Sequence, residues 1–147
     1  MNKAHAFQPL MNLARNAAQK AGKELYLLAH ERQRAQAQLT LLHDYRLDYA
    51  RRLQQAVQIG LPASSLKNFR QFIATLDAAI SQQSHVVARQ KTQVREKRQY
   101  WQTRKRRLNA FEALETRARS RQREQENRSE QIVNDEMSSC MHYMHNT

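Results

Sequence analysis

Glycine and proline are almost absent from this sequence. Gly22, Gly60, Pro9 and Pro62 are all it has in 147 residues. Few breakers mean few turns. A compact all-β or α/β domain is therefore excluded, because such domains need turn signals about every ten residues. A glycine-rich phosphate loop is excluded too, since the two glycines are isolated. The single cysteine, Cys140, rules out an internal disulfide framework and suits a reducing compartment. No N-terminal stretch has the apolar core of a signal peptide. No window approaches the roughly eighteen apolar residues of a membrane span. These absences predict a soluble, intracellular protein. Neither a nucleophile elbow nor a triad motif occurs, and a two-helix protein has no water-excluding pocket. An enzyme is not expected, and no cofactor site is evident.

What is present favours helix: Ala, Leu, Gln, Arg, Lys and Glu dominate. Charged residues make up 26% of the chain, a composition suited to a narrow seam rather than a thick core. Formal net charge is +12. A field of that sign attracts phosphates, anionic lipid or acidic protein surfaces without choosing among them.

Counting from Phe7 in alternating steps of four and three gives Met11, Ala14, Ala18, Ala21, Leu25, Leu28, Arg32, Ala35, Leu39, Leu42, Arg46, Tyr49, Leu53 and Ala56. Only the two arginines interrupt this apolar row, and a heptad sustained so long predicts a coiled coil. From Ile73 every seventh residue gives Ile80, Val87, Val94, Trp101 and Leu108, beside a mixed row of Phe69, Leu76, Gln83, Gln90, Lys97, Arg104 and Phe111. Between the two patterns lies QIGLPASS, the only internal cluster of turn residues, after which Ser64 or Ser65 could cap a new helix. Pro9 could sit in or before the first turn of the first helix, where proline is tolerated. The expected fold is all-α, a long antiparallel two-helix coiled-coil hairpin. It forms one domain over residues 1–135, with helix 1 at about 5–57, a turn at about 58–64, helix 2 at about 65–135, and a disordered tail over 136–147. Folding about residue 61 pairs residue i with 122 − i, so Ala21 meets Trp101 and Ala14 meets Leu108. Small side chains then oppose large ones, as even packing requires.

Three features stand outside the seam. From Arg89 to Arg107 basic residues crowd the second helix, and QYWQTRKRRLNAF interleaves charge with seam residues. A DNA-reading zipper separates those two functions. Near the turn, Leu41, Tyr45, Phe72 and Ala79 widen the apolar stripe beyond what two helices can bury, which marks a protein contact or self-association. Cys140, His142 and His145 are close in sequence, but their spacing matches no zinc signature, so no metal site is expected.

The segments LLHDYRLDYARRLQQ (41–55) and LKNFRQFIATLDAAISQQ (66–83), flanking a glycine-containing turn, with the basic, Trp-containing second helix, resemble the FliJ family of bacterial flagellar type III export and its YscO-type injectisome relatives. The resemblance runs from about residue 10 to 135. It implies a stalk-like coiled coil, similar to the central stalk of rotary ATPases, that sits in the hexameric export ATPase and promotes its assembly and activity. It also implies contact with the cytoplasmic domain of the export gate membrane protein and a role in recycling export chaperones. The protein would then be cytoplasmic and peripherally associated with the membrane export apparatus. By position, the gate-binding residues would be Gln38, Leu42, Tyr45, Tyr49, Phe72, Leu76 and Ala79. By analogy with a rotor stalk, the ATPase-binding residues would be Arg95, Arg98, Arg104, Lys105 and Arg107. The alternative is a basic nucleic-acid-binding coiled-coil protein; a third reading is a purely structural coil dimerising through its tip.

Overall fold

The computed structural model describes residues 6–145. Two helices, α1 (Gln8–Ile59) and α2 (Ala63–His145), account for nearly all of them. No strand occurs among the described residues, and the fold is the all-α helical hairpin that the heptads predict. Pro9 lies in the first turn of α1, where its missing N–H costs nothing.

The connection is shorter than expected, because both helices extend into it. Gly60 adopts φ +80°, a left-handed conformation that glycine takes without a Cβ penalty. Its N–H donates to the Val57 carbonyl at 3.2 Å, and the Leu61 N–H donates to the Ala56 carbonyl at 3.1 Å. That is the Schellman pattern, which satisfies the last carbonyls of α1. The next helix starts differently from expectation. Neither Ser64 nor Ser65 caps it, because both lie inside its first turn. Pro62 holds the cap position instead, its carbonyl accepting from the N–H groups of Ser65 (3.0 Å) and Leu66 (3.2 Å).

Helix α2 runs past the expected end at residue 135. Residues 136–145, read from sequence as disordered tail, are helical; residues 146 and 147 lie outside the described ones. Nearer the seam, Arg119 pairs with Glu115, and Gln122 donates to Glu126 at 3.3 Å, both at i,i+4 spacing.

The chain divides into two compact units. One is residues 21–101; the other combines the residues up to 20 with those from 102 onward. A seam between two helices has only local contacts, so no shared core ties distant heptads together.

In the 21–101 unit the seam buries Ala21, Ala35 and Ala56 of α1 against a row containing Leu76, Val87 and Val94 of α2. The register follows the expected fold-back. Glu24 pairs with Lys97, one residue from the expected 98, and Tyr49 packs on Phe72, one from the expected 73. Arg46 grips Asp77, one from the expected 76, its Nε and Nη2 donating to the two carboxylate oxygens at 2.5 and 3.4 Å. The hydrogen bond and charge of Asp77 raise the Arg46 pKa further above its ordinary value. Polar seam positions are filled deliberately. Gln83 Nε2 donates to the Ala35 carbonyl at 2.9 Å and to Gln38 Oε1 at 3.3 Å. Polar residues at seam positions specify register at some cost in stability. Gln90 Oε1 shows that cost, since it is buried with no hydrogen-bond partner.

Trp101 lies against Gly22. A Cβ at Gly22 would stand 3.1 Å from the indole Nε1 and 3.4 Å from Cδ1. Here glycine is kept in mid-helix, against its ~1 kcal/mol propensity cost, because the indole occupies the space.

In the other unit Ala14 and Ala18 of α1 pack with Leu108, and Phe111 covers that cluster. Arg15 reaches Glu112 at 3.9 Å. The last half-buried position of α2 is Gln122; every described residue beyond it is exposed.

Three stability outcomes follow. Trp101→Ala should lower stability by about 2–3 kcal/mol in a urea melt, below the ~3–5 of a fully enclosed ring because this indole is half-buried. Gly22→Leu should also destabilise, since it must displace the same ring. Gly60→Val should cost at least ~1–2 kcal/mol from its left-handed φ alone, although no neighbouring atom lies within 4 Å of its Cβ position.

Candidate protein-binding surfaces

Residues 41, 45 and 49 recur one helical turn apart on α1, so Leu41, Tyr45 and Tyr49 share a flank of the seam. Tyr45 is 49% exposed and Phe72 of α2 is 43% exposed. Tyr49 is half-buried at its seam position, its ring 4.4 Å from Phe72 and 6.4 Å from Phe69, tilted to both. The Arg52 guanidinium lies 5.0 Å from the outer face of Tyr49. The Tyr49 and Phe72 rings are thereby held in place, which lowers the conformational entropy a partner would have to overcome. The Arg46–Asp77 fork clamps the two helices beside this patch.

The remaining tip residues separate by burial. Gln38 is exposed and accepts from Gln83. Leu42 and Ala79 are half-buried. Leu76 is 6% exposed and belongs to the seam, so it offers a partner no surface. The heptad count already placed Leu76 on the seam; resemblance by position alone could not separate it from Phe72, four residues away.

The basic residues fall in both units. In the 21–101 unit Arg95 and Arg98 are exposed, and Arg95 Nη2 donates to Thr92 Oγ1 at 3.4 Å. In the other unit Lys105 and Arg107 are exposed, while Arg104 is half-buried at a seam position. The Arg107 guanidinium stands 5.9 Å from the Phe111 ring centroid. Exposed Leu10 and Leu13 line a small groove with Ala14, Ala17, Arg104, Arg107 and Phe111. Basic heads around apolar walls suit an acidic, partly apolar partner.

Two surfaces escaped the sequence reading. Tyr26, Leu27 and Tyr100 are exposed at 71%, 60% and 45%. Leu27, Tyr100, Leu28, Gln93 and the Glu24–Lys97 pair line a shallow apolar groove. Its signal was apolar residues one step off the heptad, which a seam count discards. The other is the end of α2, where Ile132, Val133, Met137 and Met141 are all more than half exposed. Cys140, His142 and His145 are exposed there, and no group able to hold a metal occurs among the described residues. Nor is any helix among the described residues long and apolar enough to cross a membrane.

Comparison with known proteins agrees with this picture. The family model described as "Flagellar FliJ protein" matches residues 2–147. The Flagellar FliJ protein of Escherichia coli (strain K12) is 29% identical over 133 residues, covering 90% of each chain. The Flagellar FliJ protein of Salmonella typhi shows the same identity and coverage. No solved structure matches the chain. With the family model spanning all but the first residue and a seam-and-turn architecture matching the heptads, the chain belongs to the flagellar FliJ family.

Proposed function

We propose that this protein is a non-enzymatic component of the flagellar protein export apparatus. It acts as a stalk-like coiled coil that binds the hexameric export ATPase, promotes its assembly and activity, contacts the export gate, and takes part in chaperone recycling. Family membership supports the flagellar export role. The observation that carries the finer reading is the tip patch: exposed Phe72 braced by a half-buried Tyr49, with exposed Tyr45 one helical turn away on α1. Pre-ordered aromatics that keep their outer faces open are the usual anchors of a protein interface. Tyr45 and Phe72 are the gate anchors, with Gln38, Leu42, Tyr49 and Ala79 around them. Arg95, Arg98, Arg104, Lys105 and Arg107 are the ATPase-facing cations, and they work by charge rather than by a deep pocket.

Nucleic-acid binding is the weaker reading, for a physical reason. The aromatic and apolar residues interleaved with the basic run could stack on bases only if they were free. Leu108 is buried with Ala14 and Ala18, and Trp101 is turned onto Gly22. The charge that remains gives salt-sensitive phosphate affinity without sequence reading.

Binding of the purified gate domain and stimulation of the ATPase, measured on the same variants at physiological salt, test this reading. Tyr45→Ala and Phe72→Ala should weaken gate binding with helicity and ATPase stimulation retained. Tyr49→Ala should lower the melting temperature as well, because its ring also supports the seam. Changing Arg98, Lys105 and Arg107 together to Glu should abolish stimulation. Any single one should do little, since each exposed pair contributes only ~0–1 kcal/mol. Stimulation that survives the triple reversal while gate binding is lost would mean that the two surfaces have been assigned the wrong way round.

A further inference from the structure

The part of α2 beyond Gln122 presents a physical problem. It is helical to His145, yet every described residue of it is exposed. A helix that is polar all round, as this one is up to about residue 131, is ordinarily bridged or held by something else. Its charge is also unlike that of the rest of the chain. Residues 124–145 carry Glu124, Glu126, Glu130, Asp135 and Glu136 against one basic residue, Arg128. That segment is therefore −4 within a chain of +12, leaving +16 elsewhere. Immediately before it, residues 117–123 carry Arg117, Arg119, Arg121 and Arg123 with no acid. A basic block thus abuts an acidic block on one exposed helix.

We propose that residues 114–133 of α2 form a self-association surface on which a second copy of the chain packs antiparallel, the overlap centred near residues 123 and 124. An antiparallel overlap about that centre lays the arginine block of each copy along the glutamate block of the other, twice, by symmetry. This is the self-complementarity that a two-fold interface requires. A parallel overlap would set Arg against Arg and Glu against Glu, which is unfavourable. The same antiparallel overlap brings exposed Ile132 and Val133 of one copy level with Leu114 of the other, itself 42% exposed. One pairing is unfavourable, Arg128 coming level with Arg119. Arg119 already has a carboxylate partner in its own chain, Glu115, which is 8% exposed and fixed in the seam. That pairing softens the repulsion. Little apolar area is covered, so the contact belongs to the weak, charge-dominated class, and its strength should fall as salt screens it.

The full chain tests this directly by sedimentation. Wild type should show a concentration-dependent dimer at low salt that weakens at high salt. A variant with Glu124, Glu126 and Glu130→Arg should stay monomeric, and so should one with Arg117, Arg121 and Arg123→Glu. Mixed together, those two variants should form a heterodimer, because opposite charges again face one another. Circular dichroism checks that both remain helical. Should either lose helix, wild type labelled at Cys140, the only cysteine, still decides. Antiparallel packing separates the two labels by ~50 Å at 1.5 Å per residue, whereas parallel packing makes them adjacent. A wild type that stays monomeric at every salt and concentration overturns the proposal. So does a mixture of the two helical variants that fails to associate, or a pair of adjacent labels.

Discussion

The molecule depends on a single seam only two helices wide. Without a third layer, each seam residue can bury one side at most, and its neighbours on the flanks must face water. The burial pattern records this limit. The residues that reach the core on α1 are mostly alanines, which fit entirely between two helices: Ala14, Ala18, Ala21, Ala35 and Ala56. The larger partners come from α2, namely Leu76, Val87, Val94 and Leu108. Small against large lets the backbones approach closely enough for contact along the whole width. Trp101 is the extreme case: its indole needs more room than alanine leaves, and Gly22 provides it. Since so little area is buried per heptad, correct register matters more here than in a globular core. A slip of one residue would expose the entire apolar row.

Register is held at several points by different chemistry. The left-handed Gly60 and the Pro62 cap set the fold-back. The Arg46–Asp77 fork, the Gln83 bonds to α1 and the Glu24–Lys97 pair then repeat that offset along the 21–101 unit. Being exposed or half-exposed, these pairs contribute modestly to stability. Their value lies in geometry, since a shifted alignment would leave each of them unmatched. Gln90 pays for this arrangement with an unpartnered oxygen, a cost the fold tolerates at one position.

The fold was legible in the sequence because heptad spacing and turn chemistry are local signals. Every seam position counted on α1 from Phe7 to Ala56 is buried or half-buried in the structure. Phe7, Met11 and Phe111 could be placed as readily as Leu28 or Val94. The ends were harder. Ser64 and Ser65 looked like caps because hydroxyls usually are, yet the Pro62 carbonyl took that position. Residues 136–145 read as a disordered tail because disorder concentrates at termini, yet they continue the helix to His145. The candidate sites were less legible than the fold, since a seam count asks only what is buried. It could not tell that Phe72 stays open while Leu76 closes. It also passed over Tyr26, Leu27 and Tyr100, which lie beside the seam.

The same two-helix limit explains why binding surfaces cluster on flanks. Any aromatic residue added beside the seam stays partly open by necessity, and so becomes available to a partner without a dedicated pocket. What differs among these flanks is how firmly each is held. Tyr49 bears on Phe72 from within, and Arg52 covers it from outside, so the tip presents ordered rings. Arg107 lines the apolar groove with its stem and, like Lys105, is exposed, so the basic surface is adaptable. An ordered aromatic patch discriminates by shape, whereas a mobile basic face discriminates by field. The first suits a partner of fixed shape, and the second a partner of opposite charge. Because the arginine block at 117–123 continues that basic surface toward the acidic end of α2, a second copy packed there and an acidic partner at Lys105 and Arg107 would draw on the same charge. Each would weaken the other by competition, with no change of fold required.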